Sequence, residues 1–175
     1  MPKLIDFGIL IMYDFDKVTK DSKRLCGYYI MPKYQVNLEE YMKDLKGVKR
    51  AMTILEVAIQ LLPIFQLVHK SNRTFNDLKP ENIMVDKKYA SHGIKVHLVD
   101  FGFADKFISD HTGKHIDEKE ALDMFQGNLM YASLDQMSFY RTSRRDDLLS
   151  LFYLIVHLLN NNSFVCNNEY DKILM

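Results

Sequence analysis

Between Asn72 and Pro80 the chain turns polar and irregular, and the elements on either side of this break limit what it can fold into. Before it, apolar residues Met52, Leu55, Ala58, Ile59, Leu62, Phe65 and Val68 recur at spacings of three and four. That period predicts one long helix over about Val48–Lys70, with Pro63 removing a hydrogen bond inside it. After it come two short β-rich runs, Ile83–Val85 and Val96–Val99, joined by a turn over Asp86–Gly93. A polar loop held between a long helix and a strand pair presents its side chains at one place, and that is where chemistry is sought first.

The rest of the chain reads as one domain's worth of elements. Residues Leu4–Met31 have strand character broken by a polar turn at Asp16–Lys23, which predicts a hairpin ended by Pro32. Asn37 and Glu40 have capping-box spacing and open a short helix. A Leu-rich helix is predicted from about Asp146 to Leu159, opened by two acids and ended by Asn160-Asn-Asn162. The expected class is α+β. The 175 residues, 47% of them apolar, can build one sizeable core.

Bulk charge points to no nucleic-acid partner, because 23 basic residues balance 23 acidic ones. The apolar runs Phe7–Tyr13 and Leu148–Leu159 are too short to span a bilayer, so no membrane partner is expected. Cys26 and Cys166 lie far apart with no metal spacing, which fits reduced thiols in a cytoplasmic or nuclear protein. His69, His92, His97, His111, His115 and His157 show no metal spacing either and are expected at the surface or satisfied in the core.

The loop itself reads Phe75-Asn-Asp-Leu-Lys-Pro-Glu-Asn-Ile-Met-Val85, and Val99-Asp-Phe-Gly102 follows the second strand. Asp77 offers a base, Lys79 a cation, and Asn82 and Asp100 two oxygen ligands for a hard divalent metal. Mg²⁺ takes few protein oxygens and completes its shell with phosphate and water. Phosphoryl transfer needs this equipment, since charge must be neutralised and the nucleophile oriented.

Asp77–Asn82 followed by Asp100–Gly102 resembles the catalytic and metal loops of eukaryotic protein kinases. Gly127-Asn-Leu-Met-Tyr-Ala-Ser133 and Ser143-Arg-Arg-Asp-Asp-Leu-Leu-Ser-Leu151 are similar to the casein kinase 1 pattern. The resemblance runs from about Leu4 to Leu159. It implies a kinase fold with a remnant N-lobe hairpin and hinge over 1–34 and a C-lobe over 35–175. The implied activity is Ser/Thr transfer from ATP to protein hydroxyls, with Mg²⁺. Asp77 would take the hydroxyl proton, Lys79 would contact the phosphate, and Asn82 and Asp100 would hold the metal. Phe101 would pack beneath the site and Gly102 would permit the turn after it.

Tyr28-Tyr-Ile-Met-Pro-Lys-Tyr34 resembles strand five and the hinge. By that resemblance Met31 is a gatekeeper, the Pro32 carbonyl and Tyr34 amide face adenine, and Met84 lies under its ring; plain core filling is the alternative for Met31 and Met84. Asp147 would bind back to the catalytic-loop backbone. Phe75-Asn76 stands where the family has His-Arg, so pairing of Asn76 with an activation-segment phosphate is not expected. Ser109 and Thr112 lie in that segment as candidate phosphate acceptors. Asn128 stands where the casein kinase 1 group has a Thr that bonds the catalytic Asp and Lys. The same resemblance places the Gly-rich loop, the strand-three Lys and its Glu partner before this chain, and further C-lobe helices after it. A catalytically inactive, kinase-derived binding module is therefore the alternative expectation. A small-molecule phosphotransferase shares the chemistry but lacks the Gly127–Ser133 and Ser143–Leu151 patterns.

Overall fold

The computed structural model describes residues 6–13, 23–86, 93–117 and 119–161. The chain divides into two compact units, Met1–Tyr34 and Gln35–Met175. The first contains an antiparallel hairpin of β1 (Asp6–Tyr13) and β2 (Lys23–Ile30), in register from Asp6 opposite Ile30 to Tyr13 opposite Lys23. The expected turn between them lies largely outside the described residues. Residues 31–34 leave the sheet as extended, irregular chain.

The second unit opens with β3 (Val36–Asn37) and α1 (Leu38–Met42). The Asn37 side chain accepts a hydrogen bond from the Glu40 amide at 2.9 Å, as the cap spacing predicts. Helix α2 (Gly47–Lys70) continues through Pro63 and is followed by the short strand β4 (Arg73–Thr74). Strands β5 (Ile83–Asp86) and β6 (Lys95–Leu98) pair antiparallel, and β3 joins β5 to complete a three-stranded sheet. The turn expected between β5 and β6 falls mostly outside the described residues. Strand β7 (Asp105–Lys106) returns to pair with β4. Helix α3 (Leu134–Met137) and helix α4 (Arg144–Leu159) follow.

The face of α2 differs from the sequence expectation. Met52, Leu55, Ile59 and Leu62 are all at least half exposed, whereas Ile54, Val57, Leu61, Phe65 and Val68 are buried. The helix is apolar on most sides, so the period admits two faces, and polar side chains decide between them. Buried Arg50 donates from Nε and Nη2 to the Leu158 carbonyl and from Nη1 to the Met42 carbonyl, tying the ends of α4 and α1 to α2. Gln60 donates to the Ile94 carbonyl and accepts from the Val96 amide, while Glu56 accepts from the Ile94 amide. These bonds cover β6, which would otherwise be an open sheet edge. Rotating the helix to bury Met52 and Ile59 would break all of them.

By length and composition alone α2 could cross a membrane. Here its buried face belongs to the same core as Leu38, Ile83, Leu98, Leu151, Leu154 and Leu158. Helix α4 begins two residues earlier than the sequence suggests. Ser143 and Asp146 form a reciprocal capping box, in which the Ser143 amide donates to Asp146 Oδ2 at 2.7 Å.

Neighbouring leucines test which face of α2 is inside. Leu61 is 0% exposed and Leu62 is 50% exposed. Leu61→Ala is expected to lower unfolding free energy by about 2–5 kcal/mol. Leu62→Ala is expected to cost less than about 0.5 kcal/mol. Urea melts of the two variants measure both; equal losses would mean that the buried face is misassigned.

Candidate active site

The loop after β4 is fixed before any of its side chains can act. Its first two amides point at one carboxylate on α4. Phe75 N lies 3.1 and 2.9 Å from the two oxygens of Asp147, and Asn76 N donates to Oδ1 at 2.9 Å. His69, near the end of α2, places Nε2 2.8 Å from Asp147 Oδ2. Two buried amides thus find a charged acceptor that orients the loop. Aromatic rings hold it from the other side. Phe75 meets Phe101 edge-on at 5.1 Å and Phe65 at 6.4 Å.

Beyond this anchor stands Asp77, only 1% exposed. Its Oδ2 accepts from Lys79 Nζ at 2.9 Å and from Asn82 Nδ2 at 2.8 Å. The same Asn82 amide nitrogen donates to the Asp77 carbonyl at 2.9 Å. Asp77 Oδ1 is buried with no hydrogen-bond partner. Such an oxygen is costly to bury and is explained when a ligand supplies the missing donor. Proton acceptance from a bound hydroxyl is chemistry that this oxygen can do.

Asn82 closes a 3₁₀ turn (Pro80–Asn82) that leads directly into β5. Its carbonyl accepts from the Val99 amide at 2.9 Å, next to the Ile83–Leu98 pair of the sheet. The β5–β6 register therefore brings Asn82 to the same sheet end as Asp100. With Nδ2 donating to Asp77, Asn82 Oδ1 is the atom that could hold a metal. Asp100 is exposed, and its Oδ1 accepts from the Gly102 amide at 3.2 Å. Among the described residues no group of three or more His, Cys, Asp or Glu side chains could hold a metal. One amide oxygen and one carboxylate fit Mg²⁺, which takes few protein ligands.

The sharp turn at this point differs from expectation. Asp100 itself has φ of +61°, while Gly102 does not occupy the left-handed region. Gly102 is instead where a Cβ would come within 3.2 Å of Asp100 Oδ1. Left-handed backbone at a non-glycine residue is strained, and such strain gathers at functional sites.

Asn128, which stands where the resemblance has a Thr, makes a local bond. Its Oδ1 accepts from the Met130 amide at 2.9 Å and caps a 3₁₀ turn (Leu129–Tyr131). Lys79 meets Asp77 directly. Beside the loop a cavity of ≈ 260 Å³ is lined by Glu39, Pro80, Glu81, Asn128, Met130, Tyr131 and His157. Burial, with Glu81 and Glu39 adding to it, pushes the Tyr131 phenol up from its ordinary value. The hydroxyl therefore stays protonated and shares a 2.7 Å hydrogen bond with His157 Nδ1. A larger groove of ≈ 690 Å³ lies between α2 and α4, but no carboxylate, hydroxyl or thiol lines it.

The structure thus joins Asp77, Lys79 and Asn82 by direct bonds and brings Asp100 to the same sheet end as Asn82. Met84 is half-buried on β5, two residues after Asn82. Met31, Pro32 and Tyr34 belong to the first unit and are described there alone. Sequence reading missed how many bonds Asn76 makes and its partners Gln136 and Thr142. The matching mark in the sequence is the distant Gly127, whose φ of +111° and approach to the Asn76 carbonyl leave no room for a side chain.

Residues 15–175 match the protein kinase domain family. The chain is 34% identical over 136 residues to a probable serine/threonine-protein kinase of Fowlpox virus, covering 77% of this chain and 44% of that one. It is 29% identical over 138 residues to a casein kinase 1-like protein of Oryza sativa, covering 78% of this chain and 20% of the relative. A probable casein kinase I homolog of Encephalitozoon cuniculi is 29% identical over 160 residues, covering 90% and 43%. The chain spans from a fifth to under half the length of these relatives.

Asp147→Ala would strand the Phe75 and Asn76 amides. A loss on the order of 3 kcal/mol is expected in a thermal or urea melt. Asp147→Asn, which keeps one acceptor oxygen, is expected to lose less.

Proposed function

The chain belongs to the protein kinase domain family, and on that premise we propose that it is a Ser/Thr protein kinase segment of the casein kinase 1 kind, moving the γ-phosphate of ATP to protein hydroxyls. The observation that carries this reading is the unpartnered, buried Oδ1 of Asp77, set between Lys79 and Asn82. A substrate Ser or Thr hydroxyl donates to that oxygen and aligns for attack. As its oxygen bonds to the γ-phosphorus, the bond to the β-phosphate oxygen breaks, ADP leaves, and the hydroxyl proton passes to Asp77.

Lys79 holds the other Asp77 oxygen in place and puts positive charge where the phosphoryl group passes. Asn82 Oδ1 and the Asp100 carboxylate would hold Mg²⁺, which when bound neutralises phosphate charge. On the adenine side the proposal assigns Met31 as gatekeeper, the Pro32 carbonyl and Tyr34 amide to the base edge, and Met84 beneath the ring. The setting proposed is the cytoplasm or nucleus, with a protein partner bearing Ser or Thr.

Two measurements on the full chain test this. Mg-ATP is expected to raise the melting temperature of the wild type, and Asp100→Asn to remove that shift. Asp77→Asn is expected to keep the shift and to lower transfer to dephosphorylated casein by about 10²–10⁴-fold. Equal transfer by Asp77→Asn would sink the assignment. Absence of both shift and transfer in the wild type would make the chain a kinase-derived binding module.

A further inference from the structure

Asn76 stands beside the proposed base and is 6% exposed, yet each of its polar groups has a partner from a different part of the second unit. Its amide donates to Asp147 Oδ1. Its carbonyl accepts from Gln136 Nε2 at 2.8 Å, and the same Gln136 nitrogen donates to the Gln126 carbonyl at 2.5 Å. Its side-chain Nδ2 donates to the Phe103 carbonyl at 2.9 Å, just past the Asp100–Gly102 turn. Its Oδ1 accepts from the Thr142 hydroxyl at 2.6 Å, and Thr74 Oγ1 lies 3.2 Å from that hydroxyl.

The backbone explains why the residue is Asn. Its φ is +68°, a region that Asn tolerates better than other non-glycine side chains. Gly127 completes the fit, because a Cβ there would fall 2.2 Å from the Asn76 carbonyl oxygen. The partners of the Asn76 side chain are a carbonyl and a hydroxyl, both uncharged. A guanidinium at this position would find no charged acceptor among the partners that the Asn76 side chain uses, and would sit in an unfavourable backbone region. The position is thus built for a neutral amide and not for a cation that receives phosphate.

We propose that Asn76 is a positioning residue that fastens the segment from Phe103 to Thr142 onto the catalytic loop without phosphorylation. The proposal rests on the kinase reading above for its meaning, but the fastening is physical and is measured separately. The segment has further neutral and ionic ties that need no phosphate. Arg141 bonds Asp105 at 2.7 Å and Glu120 at 3.1 Å, and those bonds, the one to Glu120 foremost, hold its guanidinium above its ordinary value.

Hydrogen–deuterium exchange of the full chain, before and after phosphatase treatment, is the test. Asn76→Gly keeps the φ and the backbone bonds but removes both side-chain bonds. Exchange in peptides 103–107 and 139–143 is expected to rise by about tenfold or more, the effect of losing buried hydrogen bonds. Peptide 54–65 of α2 is expected to stay unchanged. Asn76→Asp keeps the acceptor for Thr142 and loses the donor to Phe103, so only peptide 103–107 is expected to exchange faster. Phosphatase treatment of the wild type is expected to change nothing. Unchanged exchange in Asn76→Gly, faster exchange in α2 to the same extent, or loss of wild-type protection after phosphatase would each overturn the proposal. A wild type that transfers no phosphate to casein would count against the kinase reading alone, since the exchange pattern is read without turnover.

Discussion

Two backbone amides at the start of a loop have no strand or helix to satisfy them, and the Asp147 carboxylate does so. This one contact sets the position of everything that follows along the chain to Asn82. Asp147 can reach the loop because Ser143 and Asp146 start α4 at the right residue, so that the next acid points back toward β4. His69 then ties the same carboxylate to the end of α2. Three elements distant in sequence meet at one side chain that is itself almost fully buried. A buried charge is tolerable only when its lone pairs are met, and here each oxygen is.

From that anchor the site is assembled by short-range geometry. The loop leads into a 3₁₀ turn, the turn into β5, and the β5–β6 register carries the chain back to Asp100. The proposed base, cation and metal ligands therefore come from a stretch of few residues and one strand pair. The family assignment rests on the match over residues 15–175, while activity stays a proposal.

Much of this was legible in the chain itself. The strand pair after the polar loop, the Asn37 cap and the extent of α2 follow from local spacing, because their partners are a few residues away. What local spacing could not reveal was decided by distant groups. The buried face of α2 is chosen by Arg50, Glu56 and Gln60, polar residues that a hydrophobic period would send outward. Strands β4 and β7 are two residues each, too short to carry any period. Asn76 looked like the loss of a charged residue, and the partners of its side chain and carbonyl, Phe103, Thr142 and Gln136, lie far along the chain. Asn128 turned inward on its own 3₁₀ turn, a local bond that the family comparison had no reason to favour.

The lone Oδ1 of Asp77 bears on how such a sequence is inherited. An enclosed oxygen without a donor weakens the folded state, so selection for robustness alone would have replaced the residue with an amide or an aliphatic side chain. The left-handed backbone at Asp100 pulls in the same direction. A lineage that retains both accepts a less durable protein at these two positions, and the tolerance has to come from elsewhere, in the buried core that includes Phe65, Phe75, Leu61 and Leu154.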